Sequence, residues 1–497
     1  MATNVYHYNT TDMTIEEIFK KETSNEVIAE LKSRRYIPQP DTESAKKALD
    51  PEMHNINNHV LRPDKRVKVD IDNEANSAQK VIEIGGKEST NYRIEKVARI
   101  KLAIQKLIIK RAVAFLFGNP VLYNSNPKEG SQEVIAKALK RILHDVKSNS
   151  LNRKIARATF GFKECAELWY PVEKQNSVYG FKSKFKLRCA LFSPAFGDTL
   201  YPYFDEMGDM TAFSREFSRE NAGEKTTDFF ETYTDEEHWL WKQGENGFEV
   251  VDEYPKKVAI GKIPIIYAHQ DEFETQDVDS LIDRLETLLS NFADTNDYHA
   301  APKIFVSGQI NGWSKKGEAG AVIEGEENSK MEYVSWQDAP ESVKLEIETI
   351  LRMIYTITQT PDISFDSVKG LSAISGIALK LLFMDAHLKV QDKREIFDEY
   401  LQRRVNVIKA FIGQFNTKLE AECDELEIEP EIIPYMLTSE IDEINMWLAA
   451  NGNKPLVSQK QSVKSANLSQ DTDADFEQIQ EETSKENTFS FGEPVDA

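Results

Sequence analysis

The sequence predicts an α+β fold, and three observations carry that reading. Residues 155–270 hold short apolar or aromatic runs separated by turn signals, the pattern of antiparallel strands. From Asp277 onward the apolar spacing changes to three and four, the pattern of helices. Between two of those helices, residues 301–337 return to strand-like pieces punctuated by glycine.

Each element has its own signal. Thr14 to Leu31 reads as one short helix, with Thr14 and Glu17 at capping-box spacing. Residues 36–80 carry Pro38, Pro40, Pro51 and Pro63 with little periodicity and read as an irregular arm. Asn91 to Phe117 reads as a strong helix: Ile94, Val97, Ile100, Ile104, Leu107 and Ile108 recur three or four apart, and Gly118-Asn119-Pro120 stops it. Its other face is basic, through Arg93, Lys96, Arg99, Lys101, Lys106, Lys110 and Arg111. In an acidic chain such a face is expected to pair with acidic neighbours rather than with nucleic acid. The runs AELWYPV, KLRCALFS, TLYPYFDE, HWLWKQ, FEVVDEYP and IPIIYAHQ are the strands, and their aromatic residues are expected in a core.

Val278, Leu281, Ile282, Leu285, Leu288, Leu289 and Phe292 then make one apolar stripe on an acidic helix. The insertion follows as PKIFVSGQI, GAVIEG and KMEYVSW. Pro340 opens a second helix through Thr358, with Val343, Ile347, Ile350, Leu351 and Ile354 on one face. After Pro361 comes the loop DISFDSVKGLSAIS, then a helical pattern from Gly376 to Phe415, about 60 Å long if unbroken. A last helical segment spans 441–450. Residues 471–497 hold nine Asp or Glu against one Lys and read as a flexible acidic tail.

Composition excludes several classes. With 83 Asp plus Glu against 61 Lys plus Arg, the chain carries −22, which argues against a protein that clings to DNA or an anionic membrane. No apolar run is long enough to cross a membrane, and the N-terminus lacks a signal-peptide pattern. Cys165, Cys189 and Cys423 are widely spaced, which fits a reducing compartment. No phosphate-cradle, HExxH, GxSxG or CxxC motif occurs, so no catalytic residue, cofactor or metal is assigned. His54 and His59, five apart, do not share a helical face. Asp471, Asp473, Asp475, Glu477 and Glu482 match five positions of a calcium loop, but Phe476 stands where that loop needs Gly, so an acidic helix start is the better reading.

The order of these elements, together with NYRIEKVARIKLAIQKLIIKRAVAFLFGNPVLY, IGKIPIIYAHQDEFETQDVDSLIDRLETLLSN, TPDISFDSVKGLSAISGIALKLL and LAANGNKPLVSQKQSVKSANLSQDTDADFEQIQEE, resembles the portal proteins of tailed bacteriophages of the siphophage type. The resemblance covers residues 90–482, with Ser375-Gly376-Ile377-Ala378-Leu379-Lys380 its most telling run. Gly452-Asn453-Lys454-Pro455-Leu456-Val457-Ser458 is a longer Gly-to-Ser link than the family's usual one. It implies a portal-type subunit: an N-terminal arm (1–90), a β-rich α+β wing (91–275), a two-helix stem (276–300 and 338–361), a small α/β clip (301–337), a tunnel loop (362–375), a long spine helix (376–415), a helical crown (416–482) and a tail (483–497). It implies no enzyme activity. The implied assembly is a homo-oligomeric ring, usually of twelve, at one capsid vertex of the virion, built in the host cytoplasm.

The implied partners are double-stranded DNA passing through the channel without sequence specificity, the terminase large subunit, a head-completion adaptor, and the major capsid and scaffolding proteins. No membrane is implied. The tunnel loop would offer Ser364, Ser367, Ser372 and Ser375 as hydroxyls, Asp366 as a repelling acid and Lys369 as its one cation. The clip would meet its neighbour through Trp313, Val322, Ile323, Tyr333 and Trp336. Twelve chains at −22 carry −264, a repulsive wall wherever those charges face inward; the amphipathic stem carries acids such as Asp283, Glu286, Asp294, Asp297, Glu346 and Glu348, and one of its faces can pack while the other faces the channel or a neighbour. Two other readings share the lack of motifs: another ring-forming viral connector, and an enzyme with an unrecognised site.

Overall fold

The computed structural model describes residues 14–33, 37–68, 92–128, 130–205, 207–220, 226–300, 303–307, 330–334, 339–362, 383–435, 448–449, 452, 457–466 and 476–482. The chain divides into two compact units, Met1–Ile363 with Met384–Tyr435, and Ser364–Phe383 with Met436–Ala497.

The first unit begins with α1 (Ile15–Ile18), and Thr14 and Glu17 close the expected capping box, with Thr14 N donating to Glu17 Oε2 at 2.9 Å. The single helix expected to Leu31 is in fact two. α2 (Ser24–Ser33) starts afresh because Thr23 Oγ1 accepts from Glu26 N at 3.3 Å, a second Thr-x-x-Glu nine residues after the first. Ile18, Val27, Ile28 and Leu31 are buried against Tyr201, Tyr203, Phe230 and Trp241. Burying one such aliphatic side chain is worth about 1.5–3 kcal/mol, enough to hold two short helices that would not persist alone. Phe248 N donates to Asn25 Oδ1, and Gly247 beside it sits at φ +119°, where any Cβ would collide with Asn25.

The arm is more ordered than its prolines suggest. α3 (Thr42–Leu49) is capped by Asp41, whose carboxylate accepts from Ser44 N at 3.1 Å. Two 3-10 turns follow at Pro51–Met53 and Asn55–Asn57, and β1 (Lys65–Lys68) pairs antiparallel with β2 (Tyr92–Glu95).

The helix expected over 91–117 forms only as α4 (Ile104–Phe117). Residues 96–103 are not helical. Along this stretch Ala98 N, Ile100 N and Leu102 N donate to Asp294 Oδ1 (2.7 Å), Ser290 Oγ (2.9 Å) and Glu286 Oε1 (2.7 Å). The match is geometric: two extended residues span about 6.6 Å and four helical ones about 6 Å, so alternate amides meet one face of the helix that carries 286, 290 and 294. That tertiary ladder overrides the local helical pattern. Two of the cations expected to pair with acids do so, Arg99 with Asp64 (2.9 Å) and Lys101 with Glu52 (2.7 Å).

Beyond α4 come β3 (Leu122–Ser125), α5 (Ser131–Asp145), α6 (Ser148–Phe162) and two antiparallel sheets. One is three-stranded: β4 (Glu164–Asn176) lies between β5 (Ser183–Phe192) and, later in the chain, β12. The other runs β6 (Thr199–Phe204), β7 (Met210–Arg219), β8 (Thr227–Tyr233), β9 (Glu237–Gly244) and β10 (Gly247–Val250), with β11 (Lys256–Lys257) also on β9. β12 (Ile265–His269) completes the first sheet, and Leu168, Phe192, Leu200, Phe213, Tyr233 and Ile265 are buried together. Then follow α7 (Asp279–Ala300), β13 (Lys303–Ser307), β14 (Lys330–Val334) and α8 (Ala339–Ile357). α9 (Met384–Phe415) has 32 residues, about 48 Å, and α10 (Glu420–Glu425) leads into β15 (Ile428–Glu431), which pairs with β3. In the second unit α11 (Gln459–Ala466) meets the helical stretch 476–482, where Gln480 Nε2 donates to Gln459 Oε1 at 3.0 Å. The predicted stretches 376–382 and 441–447 lie outside the described residues, as does the tail from Thr483.

One buried ion pair pins α9 at the centre of the first unit. Arg404, fully buried, donates from Nε to Glu167 Oε1 (2.6 Å), from NH2 to Oε2 (2.9 Å) and from NH1 to Asn152 Oδ1 (2.5 Å). Trp169 Nε1 adds a bond to Glu167 Oε1 at 3.0 Å. Replacing Glu167 by Leu strands a buried guanidinium and is expected to cost about 3–5 kcal/mol, whereas Glu167→Leu with Arg404→Met recovers most of that loss. Urea denaturation of the purified variants checks this; equal destabilisation by the single and double changes would contradict it.

A second buried pair fastens the arm to α7. His54 Nδ1 lies 2.7 Å from Glu286 Oε1, and its Nε2 lies 3.1 Å from the Ala48 carbonyl oxygen. Both ring nitrogens therefore face acceptors, which only the doubly protonated ring satisfies. Burial opposes that charge, but the hydrogen bonds His54 donates to Glu286 and Ala48 and the charges of Glu286 and Asp283 outweigh it, raising His54 above its ordinary 6.5. A raised value stabilises the fold fully below the unfolded value and loses that contribution as pH climbs through the folded one. The thermal midpoint of the parent is expected to fall more steeply than that of His54→Gln as pH rises from about 6.5. Parallel profiles would refute the ion pair.

Candidate functional site

α7 and α8 leave the body and return to it as an antiparallel helical pair, with β13 and β14 between them. Val278, Ile282, Leu285, Leu288, Ile350 and Ile354 are buried together with Ile104 and Ile108 of α4. Arg284 adds a 2.7 Å bond to Glu346 across the pair. β13 and β14 are antiparallel, with Ile304 opposite Tyr333 and Phe305 opposite Glu332.

Several acids of α7 are engaged within the chain. Asp283 accepts from Asn55 Nδ2 at 2.8 Å, Glu286 is fully buried against His54, and Asp294 accepts from Arg62 NH2 at 2.9 Å. These three contact the chain's own arm. Asp297 is exposed, Glu346 is held by Arg284, and Glu348 lies 3.8 Å from Lys344. On α8, Leu345, Met353 and Ile357 are exposed beside the buried stripe, an apolar strip that the stronger stripe of Val343, Ile347, Ile350, Leu351 and Ile354 masks in the sequence.

The end of α8 is held by cations from two other elements. Gln359 adopts φ +48°, Thr358 Oγ1 donates to the Ile354 carbonyl at 2.8 Å, and Arg111 NH1 donates to the Pro361 carbonyl at 2.7 Å. Lys389 Nζ of α9 donates to the Thr358 carbonyl at 2.7 Å and contacts Glu274 Oε1 at 2.5 Å, while Lys393 Nζ reaches Glu274 Oε2 at 3.1 Å. Positive charge at unsatisfied carbonyls of a helix end is the favourable sign. Burial lowers Lys389 and Glu274 opposes that shift. No motif marks Glu274, which joins these lysines from a distant loop.

Thr358, Gln359, Glu274, Lys389 and Lys393 border a cleft of about 840 Å³, also lined by Gln270, Tyr400 and Arg403. Within it Glu274 is paired with Lys389 and Lys393, and Arg403 with Glu399 at 2.8 Å. Among the described residues no group of three or more His, Cys, Asp or Glu is placed to hold a metal, and no helix is long and apolar enough to cross a membrane. Burial pushes the Cys423 thiol up to about 11 and the Cys165 and Cys189 thiols higher, so none of the three is a thiolate near neutral pH.

Of the residues singled out in sequence, Ser364, Asp366, Ser367, Lys369, Ser372 and Ser375 lie outside the described residues, and so do Trp313, Val322, Ile323 and Trp336. Tyr333 is placed on β14. Asp471, Asp473 and Asp475 of the calcium-like stretch also lie outside, and Glu477 and Glu482 fall in the helical stretch 476–482.

Residues 66–488 match the family described as "Phage portal protein, SPP1 Gp6-like", which is most of the 497-residue chain. No curated protein matches in sequence. Among solved structures, a chain from the neck of an empty gene transfer agent (GTA) particle computed with C6 symmetry is similar at 10% identity, covering 73% of this chain and 89% of that one, with a TM-score of 0.39. The neck of the native particle computed with C12 symmetry gives 10% identity, 73% and 88% coverage and a TM-score of 0.35. On the family match, this chain belongs to the SPP1 Gp6-like phage portal proteins.

Proposed function

We propose that this portal protein works as one copy in a closed ring, of about twelve, at the capsid vertex through which double-stranded DNA enters and leaves the head. The observation that carries the reading is the family match over residues 66–488. The path of the chain supports it: an α/β body sends out α7, a strand ribbon and α8, then resumes in α9. On this reading the body of strands is the wing, α7 and α8 are the stem, residues 301–337 are the clip, and α9 is the spine. The terminase, the adaptor, and the capsid and scaffolding proteins dock on that ring, in the host cytoplasm during assembly and afterwards in the virion. The part is structural and not catalytic.

The clip would use strand edges, which pair readily with a second chain, and Trp313, Val322, Ile323, Tyr333 and Trp336 are its proposed contacts. The loop from Asp362 to Ser375 would line the channel. Its anchor is firm, since Arg111 and Lys389 hold the chain at Pro361 and Thr358. Its composition suits a surface that touches DNA without trapping it, because each neutralised phosphate adds affinity and Lys369 is the loop's one cation.

Two variants test this role, Lys369→Glu and a shortening of 364–372. Both are expected to assemble rings of parental size and to lower the yield of DNA-filled heads several-fold, scored by protection of packaged DNA from nuclease. Variants that package and retain DNA like the parent would remove the loop from the channel.

A further inference from the structure

The chain's acidity is not evenly spread. Residues 137–188 hold 13 Lys or Arg against 4 Asp or Glu, a net +9 inside a chain of −22, so the remainder carries −31. Two of those four acids, Glu164 and Glu167, are buried. The surface of this stretch is therefore more basic than its count.

The β4–β5 hairpin concentrates that charge on one face. Its register places Tyr170 opposite Arg188 and Val172 opposite Lys186, so these four side chains share a side of the ribbon. Lys174 and Lys184 stand at the irregularity between Glu173 and Asn176. All six are exposed except Lys186, which is half-buried and lies 3.4 Å from Asp145. Among the described residues Lys174, Lys184 and Arg188 have no ion-pair partner. The other side of the hairpin is fastened down: Trp169 and Leu187 are buried, Tyr179 Oη accepts from Leu187 N at 3.2 Å, and Phe185 stacks on Phe415 of α9 at 5.9 Å. The cations are thus carried on a rigid ribbon rather than on a loop.

We propose that this face, with Lys174, Lys184, Lys186 and Arg188 around Tyr170 and Val172, is a contact surface for the phosphate backbone of duplex DNA. The chemistry argues for phosphate over a second copy of the chain. Protein interfaces deplete lysine and centre on buried apolar anchors. Here three of the four cations are lysines, and the only apolar members, Tyr170 and Val172, are 38% and 40% exposed. Lys and Arg without base-reading side chains give sequence-blind contact. The choice of DNA among polyanions rests on the portal reading. The −31 carried elsewhere opposes tight binding, so the contact is weak, reversible and strongly salt-dependent.

The test uses the full-length protein as it purifies, with a random-sequence duplex of about 30 base pairs, fluorescence anisotropy over a salt series, and particle mass measured in parallel. The variant is Lys174→Glu, Lys184→Glu and Arg188→Glu together, all exposed positions whose change leaves the core intact. The expected result is parental particle mass, a slope of log K against log salt smaller by about 3, at roughly 0.9 per lost phosphate contact, and at least about ten-fold weaker binding near 0.1 M salt. Unchanged slope and affinity would overturn the proposal. So would a variant that loses its oligomer yet binds DNA per chain as before, which would assign the face to a neighbouring copy. A parent that binds DNA through this face without forming a ring would leave this proposal standing and count against the ring instead.

Discussion

The pairing of Arg404 with Glu167 is the contact on which the rest of the first unit hangs. A guanidinium with no solvent access needs a carboxylate, and the bidentate geometry at 2.6 and 2.9 Å supplies one. Because Asn152 and Trp169 join the same cluster, one side chain of α9 fixes its position against both α6 and β4. Everything that leans on α9 inherits that position: Phe397 against Phe117 and Phe160, Phe415 beneath the β4–β5 hairpin, and Lys389 at the end of α8. A hydrophobic cluster could supply similar stability but would tolerate sliding, whereas the fork of Arg404 admits one register.

A second constraint acts on α7. Acids on it are engaged by the chain's own arm, through Asn55, His54 and Arg62, and by the amides of Ala98 and Leu102, with Ser290 taking the amide of Ile100. Acidity in such a helix is therefore a device for binding backbone and arm, and net charge does not say where an acid points. The same caution applies in reverse to residues 137–188, where a basic face hides inside a chain of −22.

Much of this fold was legible. The stripe Val278–Phe292 marked α7, Pro340 marked the opening of α8, and the aromatic runs marked the strands, since burial on one face imposes period 3.6 or 2 directly on the sequence. The failures share a cause. The extended stretch before Ile104 has helical spacing, but its amides are claimed by a partner about 190 residues away, and local pattern cannot weigh that offer. The break at Phe19–Thr23 has its signal in Thr23 and Glu26, a second cap that a continuous apolar spacing hides. The arm's α3 has its Asp41 cap in plain view, obscured by prolines on either side. Glu274 and Glu167 leave no local trace, because a buried carboxylate is defined by what surrounds it. The basic hairpin was visible as charge, but only strand register shows which cations share a side.

The claim with most consequence is that copies of this 56.8 kDa chain close into a ring around an open axis. Electron microscopy of the purified full-length protein addresses it directly. End-on particles with a central hole and about twelve-fold repetition are expected; monomers, or open chains of variable length that never close, would contradict it.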